Sequence, residues 1–190
     1  MSYELAKRRN LLFHAQGRGE VRSVRSLSIG GVCIALGVVL PLLVHSLGIA
    51  PRIVLPIHYP VFLAGMLLDP IGAAIVGILS PALSMGLTGM PTPDQTLRMM
   101  GELAAYGLVV SLTLRLLGGF RYWTCLVALI IAMILGRIVH ASLAMWLFGF
   151  HGWKIYAAMY LPGIPGMIAQ LILIPPIAIR VRRALNLPVK

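Results

Sequence analysis

The sequence predicts an all-α membrane protein, a bundle of six transmembrane helices with both termini cytoplasmic. Three observations carry that reading. Of 190 residues, 59% are hydrophobic and only 11% charged, whereas soluble domains carry roughly a quarter charged residues. Apolar runs recur along nearly the whole chain and leave no room for a separate soluble domain. The basic residues cluster at the ends of those runs, which is how orientation is set in a bilayer.

Residues 1–26 read as a basic cytoplasmic arm, 27–183 as the six-helix transmembrane domain and 184–190 as a cytoplasmic tail. Span 1, Leu27–Leu47, is long enough to cross ~30 Å of hydrocarbon at ~1.5 Å per residue. It is also longer than the roughly 7–15 residues of a signal-peptide core, and further spans follow, so it stays as a membrane helix. A connection holding Pro and Gly runs from Gly48 to about Pro60. His58–Leu68 is apolar but short, ending at Asp69-Pro70, where Pro disfavours helix in the preceding residue. As span 2 it either recruits part of Pro51–Ile57 or enters as a half-helix lining a cavity, where broken backbone is tolerated.

Ile71–Leu87 is span 3. Thr88–Thr96 (TGMPTPDQT) reads as a loop from its Gly, Pro and Asp. Span 4 covers Leu97–Leu117 and stops at Gly118-Gly119; span 5 covers Tyr122–Phe148, and Gly149–Gly152 turns the chain. Span 6 runs from about Lys154 to Ile179 and contains four prolines, Pro162, Pro165, Pro175 and Pro176.

Charge placement tests the topology. Six crossings from a cytoplasmic N-terminus put twelve Lys/Arg inside: Lys7, Arg8, Arg9, Arg18, Arg22 and Arg25, then Arg115 and Arg121, then Arg180, Arg182, Arg183 and Lys190. Three, Arg52, Arg98 and Lys154, fall outside, and Arg137 lies within span 5. An odd number of crossings would strand one basic terminus outside. The same placement removes nucleic-acid binding as the meaning of the +11 net charge. Cys33 and Cys125 lie far apart in apolar stretches and form no C-x-x-C pair, so they read as small buried hydrophobes.

Two ionisable residues fall inside spans, and these point to function. A charge at membrane depth costs at least a few kcal/mol, so Glu102 in span 4 and Arg137 in span 5 should face a polar interior. Counted from the outer ends of their spans, Arg137 lies ~16 Å deep and Glu102 ~8 Å, close enough for extended side chains to meet in the outer half of the bilayer. Either they line a ligand chamber or they form an ion pair that fixes helix packing.

Tyr106, four residues after Glu102, and His140, three after Arg137, share faces with those charges. With Trp146 they would combine aromatic surface and a few convergent polar groups, as small-molecule sites do. His58 opens span 2 and would close over a ligand from above, together with Tyr59 and Arg52, or simply cap its helix. Gln170 in span 6 needs an internal hydrogen bond, and Pro162, Gly163, Pro165 and Gly166 loosen the outer half of that helix. Gly31 and Ala35 in span 1 form a small-x-x-x-small pair that admits another helix closely, internal or external.

Several chemistries have no footing. The chain lacks G-x-x-x-x-G-K-[ST], H-E-x-x-H and G-x-S-x-G, and its histidines are dispersed, so catalytic residues, metal sites and cofactors are assigned to none. An intramembrane enzyme using Glu102 and His140 as acid–base groups, or a structural subunit without a ligand, stands as the competing reading.

The run HYPVFLAGMLLDPIGAAIVGILSPALSMGLTG (His58–Gly89), the MPT after it, and LPGIPGMIAQLILIPP (Leu161–Pro176) resemble the substrate-binding S component of energy-coupling factor transporters, over residues 27–183. The resemblance implies a bacterial cell-membrane protein that captures a vitamin or related micronutrient in an outward-facing site formed by spans 4–6 and the loop between spans 1 and 2. It also implies partners: a membrane coupling (T) subunit and two cytoplasmic ATPases, whose ATP hydrolysis reorients the whole S component. The coupling face of that family carries Ala-x-x-x-Ala on span 1, for which Gly31-x-x-x-Ala35 is the nearest equivalent here. Its metal-uptake members begin with Met-His, whereas this chain begins Met-Ser-Tyr, which argues against cobalt or nickel.

Overall fold

The computed structural model describes residues 2–149 and 161–187, with side chains from Val24 onward. Among these the order is α1 (Ser2–Ser46), α2 (Pro51–Val54), α3 (His58–Leu67), α4 (Pro70–Thr88), α5 (Pro93–Leu116) and α6 (Tyr122–Phe148), then a 3-10 turn (Leu161–Gly163) leading into α7 (Ile164–Ala184). Five stretches are long and apolar enough to cross a membrane: Val24–Ser46, α4, α5, α6 and Leu161–Ala184. The remaining pass, Pro51–Leu67, is short and broken. The molecule is a multi-pass helical membrane protein, and among the described residues helix stands at each of the six predicted places in order, five of them long enough to cross.

Local chemistry sets each boundary. Asp69 accepts the Gly72 N–H at 3.1 Å as the N-cap of α4, Pro70 occupies its first turn, and Gly89 closes it with φ +72°. At the start of α6 the Arg121 N–H donates to the Thr124 hydroxyl at 2.8 Å. Helix α5 begins at Pro93, four residues before the predicted Leu97, because Pro is pre-set for a first helical position and its missing N–H is not needed there. The predicted loop to Thr96 is therefore shortened. The beginning of span 6 at Lys154 lies outside the described residues; its far end runs on to Ala184, past Ile179, with Pro175 and Pro176 inside the helix.

Span 2 is a broken pass. Leu55 adopts the left-handed conformation at φ +54°, donating its N–H to the Pro51 carbonyl at 2.8 Å, and the His58 N–H then reaches the Leu55 carbonyl at 3.1 Å. Leu55 precedes Pro56, and a pre-proline residue resists continuing a helix. Both sequence expectations for span 2 meet here: Pro51–Val54 supplies a turn of helix, and α3 is a half-helix of 10 residues, ~15 Å long.

Glycines bring the central helices together. A Cβ at Gly77 of α4 would run into the Leu103 carbonyl of α5, and one at Gly107 of α5 into the Ala73 carbonyl of α4, so the two backbones are in near contact. Helix α1 packs inward through Gly30 against Val76 and through Gly37 against Ser80. The core between them holds Phe62, Leu103, Tyr106, Val110, Leu129 and Ile174. Large apolar side chains such as Ile71, Leu87, Leu116 and Trp123 point outward, which suits a surface solvated by lipid.

Candidate functional site

Three helices meet at Glu102. The carboxylate is 1% exposed and accepts from the Tyr106 hydroxyl at 2.5 Å through Oε1. Its Oε2 pairs with His140 Nδ1 of α6 at 2.7 Å, and Arg137 Nη1, also of α6, lies 3.0 Å from Oε1. His58, at the start of α3, brings Nε2 to 3.8 Å from Oε1. An ionised carboxylate can only accept, so His140 donates from Nδ1. Five of the residues singled out in the sequence, His58, Glu102, Tyr106, Arg137 and His140, are thus brought together.

Depth explains the convergence. With α5 starting at Pro93, Glu102 lies nine residues, ~14 Å, along its helix, against ~16 Å for Arg137 from Phe148. The offset expected from the sequence nearly disappears. Packing then fixes the geometry. Gly136 gives the Tyr106 ring the space that a Cβ there would occupy. Tyr106 stacks on Phe62 with ring centroids 4.7 Å apart, while the His58 ring lies tilted at 5.6 Å.

Electrostatics follow from burial. A carboxylate removed from water is tolerated only when paired and hydrogen-bonded, and Glu102 has a guanidinium, a phenol and an imidazole around it. Helix α3 begins at the same place, so the positive end of its dipole adds to the pairing. The arrangement is a charge-compensated polar island on three helices within apolar walls, suited to hydrogen-bonding a buried guest. Among the described residues no group of His, Cys, Asp and Glu is arranged to hold a metal ion.

Two expected members lie elsewhere. Trp146 is 76% exposed; at ~100° per residue, nine residues place it opposite Arg137 on α6, where an indole meets lipid or its headgroups. Gln170 is buried and donates Nε2 to the Leu55 carbonyl at 3.3 Å, so its hydrogen bond serves the α2–α3 break. Gly163 and Gly166 support the same break, packing against Leu55 and the Ile53 and Val54 carbonyls. Arg52 is exposed and Tyr59 half-buried near this end. On α1, Gly31 and Ala35 face outward, with nothing within 4 Å of a Cβ added at Gly31, whereas Gly30 and Gly37 face the bundle.

One buried cation was placed outside the membrane by sequence reasoning. Arg98 is 2% exposed, pairs with Asp94 at 2.8 Å and sets its guanidinium 5.4 Å from the Phe148 ring. Its i,i+4 spacing from Asp94 is the available signal, visible once the helix is begun at Pro93. Arg182 of α7 donates to the Met66 carbonyl at 2.8 Å and covers Phe120 at 4.3 Å, tying the end of α3 to the α5–α6 connection. Nothing in the sequence pairs those three residues.

Residues 25–181 match the protein family described as ECF transporter, substrate-specific component. No curated protein and no solved structure matches the chain.

Proposed function

This chain belongs to the family of ECF transporter substrate-specific components, and from that premise we propose that it captures a vitamin-like micronutrient at the Glu102 site and hands it on through a T subunit and two ATPases. The family is a transporter component and not an enzyme family. The observation that carries the site assignment is the meeting of His58, Tyr106, Arg137 and His140 on one buried carboxylate, from three helices, at a depth where ionisable groups are expensive.

In this reading the bundle sits in a bacterial cell membrane with both basic termini in the cytoplasm. The α2–α3 break and the α6–α7 connection then lie on the outer side, and Glu102 opens toward them. The outward-facing Gly31 and Ala35 supply the smooth strip on α1 for the coupling subunit.

A second reading has a specific observation behind it. The 3.0 Å Glu102–Arg137 pair would by itself lock α5 to α6, and a structural subunit needs no more. Native mass spectrometry of the chain co-expressed with a T subunit and its ATPases separates the two. The transport reading expects a complex with a small molecule retained on this chain. A chain that purifies without partners and without any bound molecule would leave the structural reading standing.

A further inference from the structure

His58 sits in the Glu102 cluster without being hydrogen-bonded to it. Its Nε2 is 3.8 Å from Glu102 Oε1, beyond hydrogen-bond reach, and neither ring nitrogen has a hydrogen-bond partner among the described residues. The residue is nevertheless 3% exposed. An imidazole offers one donor and one acceptor when neutral, and leaving both empty in an apolar interior carries the full desolvation penalty. The tilted contact with Tyr106, itself stacked on Phe62, holds the ring in place. His58 also opens α3; its own N–H is given to the Leu55 carbonyl and Pro60 has none, so the hydrogen-bonding capacity left open here is that of the imidazole ring.

Among the described residues the negative charge of Glu102 is set against the positive charge of Arg137 at 3.0 Å. A ligand carboxylate or phosphate entering here would compete with Glu102 for Arg137 and would be repelled by Glu102 at short range in a low-dielectric medium. An uncharged hydrogen-bonding group can meet the open ring nitrogens of His58 and disturbs no pair.

Resting on the site assignment above, we propose that the substrate is recognised at His58 through an uncharged hydrogen-bonding group, a ring carbonyl or ring nitrogen of the lactam or pyrimidine kind, and that carboxylate and phosphate groups are kept from this end of the site.

Native mass spectrometry of the full chain in lipid nanodiscs tests this in two arms. The first reads the functional groups of whatever molecule the chain retains from cells. The second offers an equimolar mixture of matched probes: nicotinamide with nicotinate, riboflavin with its 5′-phosphate, and pyridoxine with its 5′-phosphate. The expected result is a retained molecule that binds through an uncharged ring edge, with any probe bound favouring the uncharged partner of its pair. His58→Phe, which keeps a ring of similar size without nitrogens, should lower retention roughly tenfold, about the size of one lost hydrogen bond, while His58→Gln should keep most of it. Thermal unfolding of each variant shows that the loss is not one of folding. A retained carboxylate or phosphate that loses binding on methyl esterification overturns this inference and leaves the transport reading intact. So does equal retention by the wild-type, His58→Phe and His58→Gln chains. No retained molecule in any arm removes both.

Discussion

Glu102 and Arg137 stand 3.0 Å apart on adjacent helices, both buried and at nearly the same depth along α5 and α6. Two imidazoles and a phenol also surround the carboxylate, so Glu102 does not rely on Arg137 alone. Removing one partner leaves the other charge in hydrocarbon. Arg137→Met and Glu102→Gln should each destabilise the fold by about 3–5 kcal/mol, and the double variant by less than the two together. Denaturation of the four proteins in one detergent closes the cycle; strict additivity would show that the pair is not coupled.

Gly136 offers a test that touches no charge. A methyl group there meets the Tyr106 ring, so Gly136→Ala should push the ring off Glu102 and cost about 1–3 kcal/mol, the usual range for overpacking. The readout is thermal unfolding together with the near-ultraviolet dichroism of the tyrosines. An unshifted spectrum at wild-type stability would show that the ring has slack.

Gln170→Leu removes the donor to the Leu55 carbonyl. A net loss of about 1 kcal/mol is expected, but concentrated locally. Hydrogen exchange should rise across Leu55–Tyr59 and stay unchanged in α5 and α6. Uniform acceleration over the whole bundle would contradict a local role.

On α1 the inward and outward small residues should separate cleanly. Gly37→Leu places a side chain into Ser80 and should impair folding. Gly31→Leu and Ala35→Leu face outward and should leave thermal stability within about 0.5 kcal/mol, as surface changes do, while reducing co-purification with a T subunit. Undiminished co-purification of the double variant would move the docking surface elsewhere.

Trp146→Ala should leave ligand retention unchanged, because the indole points away from Arg137 and is 76% exposed. Loss of retention with wild-type stability would bring Trp146 back to the site.

Much of this was legible in the chain because hydrocarbon makes errors expensive. Span 5 begins and ends where Gly118-Gly119 and Gly149 punctuate the sequence, and α6 occupies Tyr122–Phe148 as predicted. The Glu102–Arg137 association followed from the cost of burying either alone. Other features depend on geometry that residue type does not encode. The sequence puts Arg98 at the outer end of span 4, one residue after its predicted start, because Pro, Thr and Asp before it read as turn residues, although Pro93 starts the helix. Trp146 suits the site by residue type, but its angle around α6 turns it to the opposite side from Arg137. The partner of Gln170 is not legible in the sequence, because the backbone carbonyl it serves depends on the left-handed Leu55, a conformation that residue type does not announce. Arg182 reaches Met66 from the far end of the chain, 116 positions away, and no local pattern encodes such a contact.

The mutual glycine contacts of α4 and α5 have a mechanical consequence. With Leu103 and Ala73 carbonyls set directly on Gly77 and Gly107, there is no cushion of rotamers between the two helices to rearrange. They must travel as one plank. Any tilting of the protein in its membrane therefore carries Glu102 along with the plank.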